Sequence, residues 1–273
     1  MIRLYFFGMP KRPSQHELIN IYKDTLEYAR EILDELPNSF KYKMNEEDVL
    51  GKYPKPYETT NVRVEDCDVI ESIIRLNRES PSNKDNKMLV LNLASEKSFG
   101  GGVHNGAMAQ EEELFRKTTY GVHQGKTLYP LEDDEFVFTP CIYVIKDTKY
   151  NRISTDSADM VPFDGLAIAG VRHPNLVEGH LAPEDYQLMK QKIECIFKFA
   201  LVNQNTNLVL GALGCGVFFN PPEDIADIYK YCLEKYNGYF KNIVFAVLSN
   251  KTKNFDVFNY KICNVASTVK KIE

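Results

Sequence analysis

The sequence predicts a layered α/β/α domain, on three observations. Several short β-branched runs are too uniformly apolar to face water, helical stretches alternate with them, and glycine-rich turns stand where strand gives way to helix. The runs are KMLVLNLA (87–94), FVFTPCIYVI (136–145), GLAIAGV (165–171), NLVLGAL (207–213) and NIVFAVL (242–248), with helices expected over 106–121, 184–203 and 222–236. Ahead of them Ser14, three residues before Glu17, forms a capping-box signature leading an apolar stripe at Leu18, Tyr22, Ala29, Leu33 and Leu36. Residues 37–60 are polar and proline-punctuated, as a connecting segment would be, and the body begins near Asn61. The expected organisation is a helical N-terminal extension over 1–60 and one globular unit over 61–273, with no internal repeat.

The bulk numbers bound the function. The 273 residues are 44% hydrophobic and 26% charged with a formal net charge of −5, an ordinary soluble composition that argues against a general nucleic-acid coat. Cysteines at 67, 141, 195, 215, 232 and 263 are scattered, without a CxxC pair, and read as reduced, mostly buried thiols. The opening MIRLYFFGMPKRPS has only a short apolar run broken by Gly and Pro, and no stretch reaches the length of a membrane span. The expectation is a soluble, intracellular, reducing compartment and no membrane partner.

Gly100, Gly101 and Gly102 follow a buried-type strand and precede a helix, where open α/β sheets place ligands. Glycine lets backbone approach a ligand closely, and amides at the next helix start attract anions; a plain flexible turn is the alternative. The following glutamates sharpen the choice. With the helix begun near Gly106, 100° per residue puts Ala107, Met108, Leu114 and Phe115 on one apolar face, Glu111 near its middle and Glu112 at its margin. Glu113 points away beside Arg116 and Lys117, toward solvent. An acidic run at a helix start is ordinarily a wet surface favoured by the macrodipole. A carboxylate on an apolar face must instead be paired, hydrogen-bonded or held protonated, and two neighbours disfavour each other's ionisation. That equips the site to protonate a glycosidic oxygen and then activate water.

GALGCGVFFNPPE (211–223) repeats the strand–glycine–helix arrangement, with Pro222 in the first helical turn. Two such loops in one sheet can converge on a pyrophosphate. Phe218 and Phe219 offer faces for an adenine, against the alternative of core packing. Cys215, between glycines at a helix entrance, is either a reactive thiol or a backbone donor, and the backbone role is preferred because no His lies close in sequence. The histidines form no metal motif and neither loop is followed by Lys-Ser or Lys-Thr, so neither a catalytic metal nor a Walker loop is expected.

Three segments carry a resemblance. GGGVHNGAMAQEE (100–112), with a seven-residue spacer between the glycines and Gln-Glu-Glu, resembles the signature of the microbial-type poly(ADP-ribose) glycohydrolases. LGALGCGVFFNPPEDIA (210–226) is similar to that family's diphosphate loop, and LYPLEDDEFVFTPCIYVIKD (128–147) to the strand entry between them. Over roughly residues 60–260 the resemblance implies a macrodomain, a mixed central sheet flanked by helices with ADP-ribose at the strand ends. It implies Glu112 as catalytic acid and base, with Glu111 bonding the scissile ribose, a ranking the helical wheel leaves open. Gly100 to Gly102 would cradle the distal ribose and phosphate, Asn105 and Gln110 shape that loop, and Gly214, Cys215, Gly216 and Val217 hold the pyrophosphate, with Phe218 under the adenine. Ser95 stands where the animal enzymes carry Asn, and Leu213 where many microbial members show Trp. The implied activity is metal-free and cofactor-free cleavage of poly(ADP-ribose), with ADP-ribose as product. The alternatives are hydrolysis of mono-ADP-ribose from protein or nucleic acid, and a macrodomain that only binds ADP-ribose.

Overall fold

The computed structural model describes residues 12–33, 35–45, 47–249 and 252–269; the N-terminal run 1–11, read above for the absence of a targeting segment, lies outside them. Seven strands form one sheet in the order β1-β4-β5-β3-β8-β9-β2. They are β1 (Phe40–Lys43), β2 (Asn61–Glu65), β3 (Lys87–Leu93), β4 (Glu135–Tyr143), β5 (Pro162–Ile168), β8 (Asn205–Leu210) and β9 (Asn242–Ala246). A separate two-stranded hairpin joins β6 (Leu176–Val177) to β7 (His180–Leu181). Strands β5, β3, β8, β9 and β2 run parallel, while β4 is antiparallel to both β5 and β1. The mixed sheet of the expected fold is therefore present.

Alternation within the central strands builds the three layers. Leu89 and Leu91 of β3, with Leu208 and Leu210 of β8, pack on Ile193 and Phe197 of α4 (Pro183–Val202) and on Ile228 and Tyr229 of α5 (Pro222–Lys235). Phe258 and Ile262 of α6 (Asn254–Val269) join the same cluster. Met88, Val90, Val209 and Val244 point the other way, onto Ile70 and Ile73 of α2 (Val69–Glu79), Leu114 and Phe115 of α3 (Gln110–Lys117) and Tyr22 of α1 (Gln15–Ile32). Strands covered on both faces have no polar alternation to show, which explains their unbroken apolar runs.

The N-terminal segment is built into this body. The Ser14 capping box forms as expected, with the Glu17 amide donating to Ser14 Oγ at 3.3 Å and the Ser14 amide to Glu17 Oε2 at 2.7 Å. The helix stops at Ile32, so Leu33 and Leu36 lie past its end. Residues 37–60 were expected only to connect, yet Phe40–Lys43 pairs with β4 as an edge strand, so the boundary expected at residue 60 does not bound the sheet. Two of its four residues are lysines and three are exposed, typical of an edge and invisible to an apolar-run criterion.

Candidate active site

The parallel strands deliver the loops after β3 (95–109), β5 (169–175) and β8 (211–221) to one edge of the sheet, with β3 between β5 and β8. The helix expected from 106 starts at Gln110, so Ala107 and Met108 fall before it, and Met108 is half exposed. The chain between Gly102 and Ala109 instead makes a 3-10 turn at Val103–Asn105 that ends on Gly106 in the left-handed region. There a Cβ would meet the Gln15 carbonyl oxygen at 2.6 Å, because the start of α1 seats against the loop.

Both glutamates are inside, 3% and 6% exposed for Glu111 and Glu112. Glu111 accepts from the Ser95 amide at 2.7 Å, the Gly100 amide at 3.2 Å and Asn92 Nδ2 at 3.3 Å. Glu112 accepts from the Gly102 amide at 2.8 Å and the Ala109 amide at 2.9 Å, so it also caps its own helix. Burial pushes the Glu111 carboxyl up to about 8, and the charge of Glu112 adds to this against the Ser95, Asn92 and Gly100 donors. Gln110 anchors the start of α3 to β3, accepting from the Leu93 amide at 2.9 Å and donating to the Leu91 carbonyl at 2.6 Å. It thus fixes the helix rather than shaping the glycine loop. Asn105 sits exposed in the 3-10 turn.

The three glycines fit around these side chains. A Cβ on Gly100 would meet the Phe115 ring at 2.7 Å. On Gly101, at φ +56°, it would lie 2.6 Å from Glu112 Oε1 and 2.8 Å from Glu111 Oε2. On Gly102 it would meet Ala107 Cβ at 2.8 Å. The amides expected to cradle phosphate have partners already: Gly100 and Gly102 bond the glutamates and Gly101 the Ser98 carbonyl at 3.0 Å.

The second loop differs. The amides of Gly216, Val217 and Phe218 donate to no acceptor among the described residues, Gly216 and Val217 are exposed, and a Cβ on Gly216 would meet nothing within 4 Å. Asn220 braces the loop by donating to the Val171 carbonyl at 2.7 Å and the Gly214 carbonyl at 3.1 Å. A Cβ on Gly170 would come 2.9 Å from Gly214 Cα, so the loops after β5 and β8 touch. Cys215 is buried, and desolvation, with Glu223 and Asp224 nearby, holds its thiol well above the usual range, which removes the reactive-thiol alternative. Phe218 is also buried, and the Arg172 guanidinium lies 4.0 Å over its ring centroid. The exposed ring is Phe219, at φ +63° and stacked on His173 at 5.3 Å. The face expected under an adenine is therefore covered at Phe218 and open one residue later.

Two further corrections concern the back of α3. Glu113, expected in water, accepts from Arg116 at 2.9 Å, Lys117 at 3.0 Å and Tyr150 Oη at 2.9 Å. Both cations are buried, and Lys117 also pairs with Asp68, the N-cap of α2, at 2.7 Å. The outer face of α3 is covered by α1 and by the segment around Tyr150, so its charges pair internally. Asn92 escaped the sequence reading, although a lone polar residue inside KMLVLNLA was its signal. Its side chain is fully buried and donates to Glu111. Among the described residues no group of three His, Cys, Asp or Glu is placed to hold a metal ion, and no helix is long and apolar enough to cross a membrane.

Known proteins resemble this arrangement. Residues 17–147 match the family described as microbial-type PARG (poly(ADP-ribose) glycohydrolase), catalytic domain. Among solved structures, the poly(ADP-ribose) glycohydrolase of Thermomonospora curvata bound to the inhibitor ADP-HPD is 20% identical, with a TM-score of 0.73 over 91% of this chain and 100% of that one. The enzyme of Deinococcus radiodurans in complex with ADP-ribose is 23% identical, with a TM-score of 0.68 over 88% of this chain and 98% of that one. No curated protein sequence matches this chain. The family match takes in the first glycine loop and both buried glutamates, and the fold of these solved glycohydrolases is shared along about nine-tenths of the chain.

Proposed function

We propose that this chain hydrolyses the ribose–ribose glycosidic bond of poly(ADP-ribose), releasing ADP-ribose, with Glu112 as general acid and base. The carrying observation is the pair of buried carboxyls pressed on Gly101, one of which holds its proton to about pH 8. Glu112 delivers a proton to the departing 2′-oxygen as the bond to the anomeric carbon breaks. An oxocarbenium-like centre develops in the bound unit, stabilised by the neighbouring diphosphate. The carboxylate left on Glu112 then takes a proton from water as that water adds to the anomeric carbon.

Glu111, held by three donors, orients the bound ribose. The free amides of Gly216, Val217 and Phe218 take the diphosphate, as anions are taken at helix entrances. Known relatives support this reading, since the Deinococcus radiodurans enzyme was captured with ADP-ribose and the Thermomonospora curvata enzyme with ADP-HPD. Six free thiols suit a reducing intracellular setting. The test is free ADP-ribose measured after incubation with poly(ADP-ribose) and, separately, with mono-ADP-ribosylated protein and DNA. Release from polymer is expected. Release only from the mono-modified substrates identifies the other hydrolase, and no release with intact ADP-ribose binding identifies a reader.

A further inference from the structure

A cavity of about 320 Å³ opens between Glu96 after β3, the Ala169–Arg172 turn after β5, the Leu131–Asp133 turn before β4, and Lys192 of α4. That volume is at the small end for sites that take organic ligands. Its place is set by the same strands as the carboxyl pair. Ser95 donates to Glu111 at 2.7 Å, so the cavity wall at Glu96 begins one residue from the pair. Gly170 touches Gly214, and Arg172 covers Phe218. The sheet order puts β8 and its open amides on one side of β3 and β5 on the other. A unit whose diphosphate lies on the β8 loop leaves the β5 side to whatever departs.

The charges choose the class of ligand. Arg172 is engaged by Glu96 through two bonds, at 2.6 and 2.8 Å. Lys192, 2% exposed, donates to the Asp133 carbonyl at 2.6 Å and has the Asp133 carboxylate at 3.7 Å. Three carboxylates, of Glu96, Glu132 and Asp133, thus face two cations that already have partners. Such a lining repels a phosphate and suits a neutral group with donors to offer.

We propose that this cavity receives the adenosine of the departing unit, the nucleoside whose 2′-oxygen Glu112 protonates. The exocyclic amine and ribose hydroxyls donate to Glu132 and Asp133, and the phosphates of that unit remain outside in solvent. This inference rests on the hydrolase reading above. Its test uses the full chain saturated with ADP-ribose and titrated with adenosine, followed by saturation-transfer NMR on the adenosine protons. Adenosine should bind alongside ADP-ribose, and Glu132→Ala/Asp133→Ala should weaken that binding roughly tenfold, the loss expected for bonds to charged acceptors. The same variant should lower the ratio of kcat/KM for polymer to kcat/KM for ADP-ribose carrying a nitrophenyl leaving group. Adenosine that binds only when ADP-ribose is absent, or equally to the variant, overturns the subsite. A native chain that binds both ligands together but releases no ADP-ribose overturns the hydrolase reading instead.

Discussion

The two glycine loops look alike in sequence and do opposite things. Around Gly100–Gly102 the backbone faces inward. Its amides bond Glu111, Ser98 and Glu112, and any side chain at Gly101 would strike both carboxyls. Around Gly214–Phe218 it faces outward, with the amides of Gly216, Val217 and Phe218 unused among the described residues and open space where Gly216 would carry a Cβ. Glycine in the first loop therefore serves the protein's own acids, and in the second it leaves room for a ligand. A glycine run marks close approach to backbone, and only geometry tells whether the approaching group is a side chain or a substrate.

The largest break in this contrast comes from Gly101→Ala. At φ +56° an added methyl meets carboxyl oxygens at 2.6 and 2.8 Å, storing about 1–3 kcal/mol of backbone strain and displacing the pair. ADP-ribose release should fall at least ~100-fold, as for loss of a general acid, with a lowered melting temperature and much of the ADP-ribose affinity kept. Retained activity in a stably folded variant would show that the carboxyls do not depend on the bare backbone.

Glu111→Gln tests the pair through pH. The folded carboxyl titrates at about 8, above the ~4.3 of a free glutamate, so between those values the folded chain holds a proton that the unfolded chain lacks. Its contribution is full below the lower value and is lost as pH rises through the upper one, with a slope near 1.4 kcal/mol per pH unit. Gln does not titrate, so the stability of the native chain relative to Glu111→Gln should decline between pH 5 and 8.5 in denaturant titrations. A difference that stays flat would show that Glu111 does not hold the proton. Gly216→Ala is the mildest change: stability should stay within about 0.5 kcal/mol, as for an open surface position, while calorimetric ADP-ribose binding weakens by roughly 0.5–1.5 kcal/mol if a diphosphate bond is impeded. Unchanged affinity would remove the second loop from the ligand site.

What was legible in the sequence followed from local period. The five apolar runs became β3, β4, β5, β8 and β9, and α4 and α5 began within one residue of expectation, because burial on both faces and a proline in the first turn are local signals. The wheel placed Glu111 and Glu112 inside although the helix starts four residues later than expected, since the angle between neighbours does not depend on where counting begins. Relations across the chain were illegible. Glu113 is drawn inward by Tyr150, 37 residues on. Phe218 is covered by Arg172, which Glu96 holds from another strand end. The four-residue edge strand β1 carries no apolar run to notice.

The central claim is that Glu112 moves the proton, and it is tested most directly by the rate of ADP-ribose release from poly(ADP-ribose) by the native chain and by Glu112→Ala. Because Glu112 also bonds the Ala109 and Gly102 amides, its loss should cost about 1 kcal/mol of stability, as for a helix cap, so both proteins are first shown to be folded and to bind ADP-ribose. The account predicts a fall of roughly 10²–10⁴-fold, the usual range for removing a general acid and base. Equal release by the two folded proteins would contradict it.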